Sequence, residues 1–361
     1  MKPFIVVGTR PEIIKMAPVV HELERRKIDY FLLHTGQHYS DNMSDSIFRD
    51  VELRLPDVNL DIGPGSHSQQ IANALVGIEK ELMKQNPELV LVLGDTNAVL
   101  SGALAAVKLN IPVGHVEAGL RSYDNRMPEE HNRRVTDHLS KFLFAPTENS
   151  AEILRKENVW GEISITGNTV IDILESQIHK VANRKTVAKE MVLENYALLT
   201  MHRAENVDER STLSGLVKGL LSLDMDIIFP AHPRVVARLT EFGLIDDIRK
   251  STKVHIVEPV GYLDFLALMK SCTMILTDSG GIQEEATAPS INKKVFVLRS
   301  STERPEAVES GHSTVVGIDA SKFPMKIKSE IEKGFTTSEQ SPYGCGDASE
   351  KIVNILQEHE G

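Results

Sequence analysis

Acidic residues stand just beyond two of the most apolar runs of the chain, and their positions suggest acid–base chemistry. Asp95 follows the run LVLVLG, and Glu117 follows VGHV. A carboxylate at the end of a buried strand is costly unless it is paired or takes part in a reaction. Two such groups at adjacent strand ends are typical of proton transfer. For either residue alone, the alternative is an ion pair with Arg121 or Arg126.

A second acidic pair, Glu129 and Glu130, opens a helix predicted over residues 129–139. Pro128 fixes where this helix begins, which would orient Glu129. Acidic side chains in a first turn are also favoured by the helix dipole, so at least one of the two has a purely structural explanation. The residues alone leave open which carboxylate is chemically active.

The second half of the chain carries a motif suited to an anionic ligand. Ser279, Gly280 and Gly281 follow a predicted strand, and the serine is placed to cap the next helix. A helix start offers unpaired N–H groups to a phosphate, and the glycines allow close approach. One turn later, Glu284 or Glu285 could accept hydrogen bonds from a ribose. The alternative is an ordinary strand-to-helix turn.

Basic side chains flank the first βα turn, where contact with a phosphate is expected. Arg10 and Lys15 stand on either side of the predicted helix start. The alternatives are a solvated basic face and an ion pair between Glu12 and Lys15, three residues apart. Of the histidines, His202 at a strand end is the best placed for chemistry, and His232 has a comparable claim.

These motifs depend on a repeating order of short apolar runs and amphipathic helices. Nearly continuous apolar strands separated by helices predict parallel sheets buried on both faces. Such sheets bind ligands at the carboxyl ends of their strands, where the motifs lie. The predicted strands are residues 4–7, 30–34, 89–93, 113–116, 142–145 and 163–166, followed by 197–201, 226–229, 254–257, 274–277, 295–298 and 314–316.

So many strands exceed what one doubly wound sheet usually holds. We therefore expect an α/β protein with two Rossmann-like domains that face each other across a cleft. The predicted domains are residues 1–168 and 169–347, and a last helix near 348–361 could pack on the first domain. The charged stretch HKVANRKTVAKE lies beside this boundary.

Composition excludes several classes of protein. The 361 residues carry a net charge of −11, which argues against nonspecific binding to nucleic acid or to a membrane surface. The two cysteines and the histidines lack metal-ligand spacing, so no metal is expected. The first βα turn lacks GxGxxG, which disfavours a nicotinamide cofactor. Without a long apolar segment, we expect a soluble, cytoplasmic protein that needs no cofactor.

A set of motifs runs in order from the first residues to about residue 316. These are GTRPEIIKMAP, QH, GDT, HVEAGLRS, PEEHNRR, FAPT, ITGNTVID, HRAEN, HP, TDSGGIQEEA and TERPEA. In them the chain closely resembles the non-hydrolysing UDP-N-acetylglucosamine 2-epimerases. The resemblance implies a GT-B-like fold, a homodimer, and interconversion of UDP-GlcNAc and UDP-ManNAc without a redox cofactor.

The implied reaction inverts C2 of the sugar. The C2 proton becomes removable only when UDP leaves C1 first or in concert, which yields 2-acetamidoglucal and UDP. Return of a proton on the opposite face, with UDP re-added at C1, completes the inversion. This chemistry needs carboxylates near both faces of C2 and cations that hold the departing diphosphate.

The resemblance also implies roles for residues of this sequence. The acid–base carboxylates fall on Asp95, Glu117 and Glu129, the last being the first glutamate of the PEE motif. The remaining matched positions are substrate contacts: Arg10, Lys15, His202, Ser279, Gly280 and Gly281 for the leaving diphosphate, Glu285 for the ribose, Arg304 for the nucleotide and Phe265 for the uracil. His202 counts among the catalytic residues as well.

One segment departs from the family pattern. Residues 37–43 read QHYSDNM, where many bacterial members read QHRxMLD and hold part of an activating second UDP-GlcNAc. Tyr39 replaces an arginine and Asp41 adds a negative charge, so we expect a weak or absent activator site. The alternative is that Gln37, His38 and residues elsewhere preserve the site with different contacts.

Other functions fit part of the pattern. A GT-B glycosyltransferase would share the fold and the nucleotide site, but it would need an acceptor and would not exchange the C2 hydrogen. Epimerases of a related sugar, such as a UDP-diacetamido-glucuronate, tend to read GARPQ where this chain reads GTRPE. A catalytically silent nucleotide-sugar sensor is disfavoured because all three carboxylates are present.

Overall fold

The computed structural model describes residues 2–36, 47–182 and 184–359. Strands and helices alternate along the chain, and the strands form two parallel sheets. The structure divides into two compact units. The first unit comprises Met1–Ile173 and Tyr343–Gly361, and the second comprises Leu174–Pro342.

The first unit is built on a parallel sheet of seven strands in the order β3-β2-β1-β4-β5-β6-β7. The strands are β1 (Pro3–Val7), β2 (Phe31–His34), β3 (Val58–Asn59), β4 (Leu89–Leu93), β5 (Val113–Val116), β6 (Phe142–Ala145) and β7 (Glu162–Ile165). Its helices are α1 (Arg10–Arg25), α2 (His67–Gln85), α3 (Asn97–Lys108), α4 (Pro128–Leu139), α5 (Glu148–Lys156) and the first half of α6 (Thr169–Gln177), with α16 (Ala348–Glu358) from the end of the chain.

Side chains of each strand point alternately to the two faces of this sheet, which explains why both faces are covered. Phe4 and Val6 of β1 pack into one apolar cluster, while Ile5 and Val7 pack into another on the opposite face. Because side chains alternate across a strand, a continuous apolar run supplies both layers. Helix α16 adds Ile352 to the same cluster as Ile5, so the end of the chain stabilises the first unit.

The second unit has a parallel sheet of six strands in the order β10-β9-β8-β11-β12-β13. Its strands are β8 (Tyr196–Thr200), β9 (Asp226–Pro230), β10 (Val254–Val257), β11 (Met274–Thr277), β12 (Lys294–Val297) and β13 (Ser313–Val315). After the remainder of α6 and a short 3₁₀ helix (Ile178–Val181), its helices are α7 (Val187–Glu190), α8 (Ala204–Val207), α9 (Arg210–Leu221), α10 (Pro233–Glu241), α11 (Ile245–Lys250), α12 (Tyr262–Ser271), α13 (Gly280–Glu285), α14 (Pro305–Glu309) and α15 (Phe323–Lys333).

The predicted strands are confirmed, each to within one residue at either end. The sequence missed β3, because a strand of two residues has no apolar pattern of its own. The helix predicted over residues 129–139 begins at Pro128, where proline is favoured at a first helical position. Within the described ranges, no helix has the length and apolar character needed to cross a membrane.

Candidate active site

Asp95 and Glu117 stand at the carboxyl ends of neighbouring strands, as their sequence positions predict. Strands β4 and β5 pair in parallel, with Leu93 opposite Val116. The N–H of Gly94 donates to the Val116 carbonyl at 3.1 Å, so the pairing continues up to the residues that directly precede Asp95 and Glu117. The two acidic residues therefore share one edge of the first sheet.

Glu117 is a buried carboxylate with a cation and an amide on one oxygen. Lys15 Nζ donates to Glu117 Oε1 at 2.5 Å, and Asn168 Nδ2 donates to the same oxygen at 2.9 Å. Only 7% of the Glu117 side chain and 14% of the Lys15 side chain are exposed. The Glu117 backbone has φ +67°, which is uncommon for a residue other than glycine and concentrates at functional sites.

Arg10 and Lys15 belong to the same helix but have different surroundings. Arg10 is the first residue of α1, and its side chain is exposed. Lys15 pairs with Glu117, whereas the Glu12 carboxylate accepts a hydrogen bond from the Gly8 N–H at 2.6 Å. The structure thus brings Lys15 to a catalytic candidate and leaves Arg10 accessible to a ligand.

Glu12 is a titratable group for which the sequence spacing suggests only a pairing with Lys15. Its side chain lies inside the first βα turn and is 3% exposed. Burial raises the pKa of Glu12 to about 7, although hydrogen bonds from Thr96, Gly8 and Thr9 act in the opposite direction. The negative charge of Asp95 raises this pKa further. The carboxyl group therefore exchanges a proton near neutral pH.

Asp95 is ion-paired, but not with the arginines that the sequence offered. The Arg133 guanidinium donates to the Asp95 carboxylate, which is one-third exposed, and Asn132 Nδ2 holds the Asp95 carbonyl at 3.0 Å. Arg121 and Arg126 pair with other carboxylates. The alternative that Asp95 forms an ion pair is therefore confirmed, but the partner is Arg133 and not Arg121 or Arg126.

The two glutamates at the start of α4 have different environments. Glu130 is fully buried and accepts hydrogen bonds from the Ser122 N–H and hydroxyl at 2.8 and 2.9 Å. Burial alone would raise its pKa, but these bonds and the charge of Arg133 outweigh burial and lower it. Glu129 is partly exposed, and among the described residues no side chain bonds its carboxylate. Glu130 thus holds a loop in place, and Glu129 is the accessible member.

In the second unit, a buried aspartate organises the residues around His202. Asp278, fully buried at the end of β11, lies 3.1 Å from His202 Nδ1. It also accepts hydrogen bonds from the His202 and Arg203 N–H groups and from Asn206 Nδ2, at 3.0 to 3.1 Å. Burial would raise the Asp278 pKa, but the bonds and charge of His202 lower it overall. The exposed His202 ring is therefore held with its other nitrogen, Nε2, available.

The expected anion motif begins a short helix beside this aspartate. Ser279 occupies the N-cap position of α13, but its hydroxyl makes no capping bond. Its N–H donates instead to the Thr277 hydroxyl at 2.9 Å, which turns the chain out of β11. The capping role predicted for Ser279 is therefore wrong. Gly280 lies against Arg304, since a Cβ at Gly280 would come within 3.7 Å of the guanidinium.

The two glutamates of α13 are also distinguished by burial. Glu284 is fully buried, and its Oε1 accepts from Arg304 Nε, so its carboxylate serves to hold that arginine. Glu285 is only partly buried. The two ribose candidates thus differ in exposure, and assignment of the ribose to Glu285 stays a prediction.

Two further candidates lie on other elements of the second unit. Phe265 is a partly buried residue of α12. His232 is the N-cap of α10, where its Nδ1 accepts a hydrogen bond from the Arg234 N–H at 3.2 Å. The two histidines thus differ in the partner of Nδ1, which is a backbone N–H at His232 and a buried carboxylate at His202.

Several site residues escaped sequence reasoning although their motifs were visible. Asn168 lies in ITGNTVID, Arg133 in PEEHNRR, and Asp278 in TDSGGIQEEA. Their partners stand far along the chain, so no local spacing predicts the contacts. Across the part of the chain that the structure describes, no group of three or more His, Cys, Asp or Glu side chains is arranged to hold a metal ion.

Comparison with known proteins gives matches over nearly the whole chain. The sequence profile of the family described as UDP-N-acetylglucosamine 2-epimerase matches residues 21–357. A UDP-N-acetylglucosamine 2-epimerase of Methanococcus maripaludis is 47% identical over 98% of this chain and 97% of its own length. A UDP-2,3-diacetamido-2,3-dideoxy-D-glucuronate 2-epimerase of Pseudomonas aeruginosa is 35% identical over 99% of both chains.

A solved structure gives the same result for the fold. The crystal structure of Methanocaldococcus jannaschii UDP-GlcNAc 2-epimerase in complex with UDP-GlcNAc and UDP superposes with a TM-score of 0.88. The two sequences are 45% identical, and the match covers 99% of this chain and 100% of that one. Two parallel-sheet α/β units and this likeness identify the fold as GT-B-like. The chain belongs to the UDP-N-acetylglucosamine 2-epimerase family.

Proposed function

We propose that this chain interconverts UDP-GlcNAc and UDP-ManNAc by inverting the configuration at C2. The observation that carries the proposal is the placement of Asp95 and Glu117 at neighbouring strand ends, each with its own cation. A carboxylate can accept the C2 proton, and a paired cation offsets part of the cost of burying its charge.

Proton transfer is assigned to the first unit. The bond between C1 and the diphosphate breaks before the C–H bond at C2 or together with it. The C2 proton passes to a carboxylate, and the C–H electron pair forms the double bond between C1 and C2. The products are 2-acetamidoglucal, UDP and a protonated side chain. Addition of a proton at C2 on the other face, and of UDP at C1, restores a UDP-sugar with C2 inverted. Asp95, Glu117 and Glu129 are the groups that we assign to these transfers.

Binding of the nucleotide is assigned mainly to the second unit. We assign to the His202 ring, held by Asp278, a hydrogen bond to the diphosphate as negative charge develops on it. Gly280 and Gly281 add the backbone N–H groups where α13 begins, Ser279 adds its hydroxyl, and Arg304 adds a charge fixed by Glu284. Glu285 is assigned to the ribose, Phe265 to the uracil and the exposed Arg10 to the diphosphate.

The proposal includes a homodimer, which the family resemblance implies, and a cytoplasmic enzyme that works without a cofactor. Both cysteines are free thiols, Cys272 buried and Cys345 exposed, which suits a reducing compartment. Sedimentation of the purified protein would measure the oligomeric state. A monomer at working concentration would overturn the dimer and leave the proposed reaction standing.

The reaction is tested by incubating the pure protein with UDP-GlcNAc alone. The expected result is a mixture of UDP-GlcNAc and UDP-ManNAc, reached without acceptor, metal or nicotinamide. A requirement for a sugar acceptor would point to a glycosyltransferase. An inactive protein that still binds UDP would point to a sensor.

A related UDP-sugar is the second candidate substrate, because the Pseudomonas aeruginosa relative acts, by its name, on a diacetamido-glucuronate. That sugar carries a carboxylate, which needs its own positive partner. Parallel assays with UDP-GlcNAc and UDP-2,3-diacetamido-2,3-dideoxy-D-glucuronate separate the two. We expect turnover of UDP-GlcNAc to dominate, and the reverse preference would assign the chain to the other sugar.

A further inference from the structure

A network of charged side chains lies buried beneath the strand ends that carry Asp95 and Glu117. His115, in the middle of β5, and Asp137, near the end of α4, are both fully buried. His115 Nδ1 lies 2.7 Å from Asp137 Oδ1, and Arg121 donates to Asp137 Oδ2 at 2.7 Å. Arg121 also reaches Glu157 at 2.6 Å. The network joins a histidine and an arginine to two carboxylates.

Both nitrogens of the His115 ring face acceptors. Nε2 lies 2.7 Å from the carbonyl oxygen of Gly94, which cannot donate a hydrogen bond. Asp137 already accepts from Arg121 and from the Gly119 N–H at 3.3 Å, so it too serves as an acceptor. A ring that satisfies both contacts carries a proton on each nitrogen. The geometry therefore calls for a buried imidazolium at His115.

The contacts of Asp137 span the strained residue Glu117. One carboxylate oxygen binds His115, two positions before Glu117, and the other binds the N–H of Gly119, two positions after it. A positive φ at a residue other than glycine persists only where its surroundings hold it. Asp137 supplies that restraint from α4.

The contact of His115 with Gly94 extends the restraint to the second carboxylate. Gly94 immediately precedes Asp95, so one ring touches the segments that carry both acidic groups. We propose that His115 and Asp137 are positioning residues, which fix Glu117 and Asp95 for proton transfer at C2. This inference rests on the proposed epimerase function for its kinetic consequence, but the charge state of the ring can be measured without turnover.

The structural half of the proposal is tested by NMR of protein labelled with ¹⁵N-histidine at pH 7. His115 should show two ring N–H signals protected from solvent, assigned by their absence in His115→Gln. His312 is the matched control, because it is equally buried but bonds the Ser310 hydroxyl, which can donate to a neutral ring. Burial and Lys294 also lower the His312 pKa, so a single ring proton is expected there. A single protected N–H at His115 would overturn the proposal, whatever the fate of any variant.

The kinetic half compares His115→Gln and Asp137→Asn with His312→Gln. The first two should lower kcat by about a hundredfold, with KM for UDP-GlcNAc and the Kd for UDP changed by less than about threefold. This split is expected because a misplaced carboxylate affects the proton transfer, whereas the groups assigned to the nucleotide lie mainly in the second unit. His312→Gln should leave kcat within about threefold of the wild type.

The outcomes separate the two proposals. Folded His115→Gln and Asp137→Asn proteins with wild-type kcat would overturn the positioning role, as would equal losses in kcat and UDP affinity. If His115→Gln does not fold, Asp137→Asn and the wild-type NMR spectrum decide. If the wild-type protein has two protected ring protons on His115 but no epimerase activity, the proposed function fails and the buried imidazolium stands.

Discussion

At the scale of single residues, burial separates acidic groups that look alike in the sequence. Glu129 and Glu130 are adjacent, yet one is accessible and the other is enclosed by hydrogen bonds from Ser122 and two arginines. Glu284 and Glu285 differ in burial, because Glu284 is fully buried and bonded to Arg304 whereas Glu285 is only partly buried. Local sequence could place each pair at a helix but could not say which member faces a ligand. That depends on side chains supplied by other parts of the fold.

Substitution of the first acidic pair tests the assignment of Glu129. Glu129→Gln should lower kcat by about 10²–10⁴-fold, the usual contribution of a general acid or base, while UDP still binds. Glu130→Gln should act chiefly on stability, because it removes a charge that holds Ser122 and Arg133. Steady-state kinetics and thermal unfolding of both variants provide the comparison. A nearly wild-type Glu129→Gln beside an inactive but folded Glu130→Gln would reverse the assignment.

Glu12 gives a pH dependence of stability. Its pKa is raised from 4.5 to about 7 in the folded protein, so folding favours the protonated form. The stability that the neutral group allows is complete below about pH 4.5 and is lost as pH rises through about 7. Between pH 4.5 and 8, the free energy of unfolding of Glu12→Gln should therefore rise relative to that of the wild type by about 2–3 kcal/mol, as expected from the size of the pKa shift.

Urea unfolding at several pH values between those limits measures this gain. Glu79→Gln is the matched control, because Glu79 is an exposed carboxylate of α2 and its replacement should give a constant difference. If Glu12→Gln also gives a difference that does not change with pH, the Glu12 carboxyl group is not perturbed by burial.

At the scale of elements, the strands were predictable from the sequence, but the side-chain contacts between distant elements were not. Each long strand is a run such as LVLVL in β4, whose composition is sufficient because both faces are buried. By contrast, Asn168 binds Glu117 across 51 positions of sequence, and no periodicity reports such a contact. The capping bond expected of Ser279 is also missing. The Ser279 N–H donates to the Thr277 hydroxyl, and the Ser279 hydroxyl does not cap α13.

Gly119 tests how tightly the turn after Glu117 packs against α5. Its φ is +84°, and a Cβ at this position would lie 2.4 Å from the Ser150 carbonyl oxygen. Gly63 has φ +67° with nothing within 4 Å, so Gly63→Ala experiences the backbone strain alone. Gly119→Ala should lose about 1–3 kcal/mol more of the free energy of unfolding than Gly63→Ala, the usual cost of overpacking. Equal losses in chemical denaturation would show that α5 moves aside freely.

At the scale of the whole molecule, a net charge of −11 appears ill suited to an anionic nucleotide sugar. Net charge is a property of the whole chain, whereas binding depends on the groups assigned to the ligand, which are Arg10 in the first unit and His202 with the start of α13 in the second. The negative net charge argues against nonspecific polyanions, whereas binding of a specific ligand depends on the groups at its own site. The fold class followed from the alternation of strands and helices, and the motifs set the family.

Regulation by a second nucleotide sugar belongs to the same scale. The segment on which this expectation depends, residues 37–43, lies outside the described residues. Because Asp41 adds negative charge there and Tyr39 stands in place of an arginine, UDP-ManNAc alone should be epimerised from the first turnovers. Progress curves started with UDP-ManNAc free of its epimer test this. A lag abolished by trace UDP-GlcNAc would show that an activator site is intact.

Transfer of solvent hydrogen to C2 tests cofactor-free epimerisation by this chain most directly. The pure protein is incubated in D₂O with UDP-GlcNAc alone, and proton NMR follows the C2 position of both sugars. Because the carboxylates exchange their protons with solvent, deuterium should enter C2 of UDP-ManNAc first and then of UDP-GlcNAc, with no nicotinamide present. UDP-ManNAc that keeps its original C2 hydrogen, or turnover that depends on added NAD, would contradict elimination and re-addition.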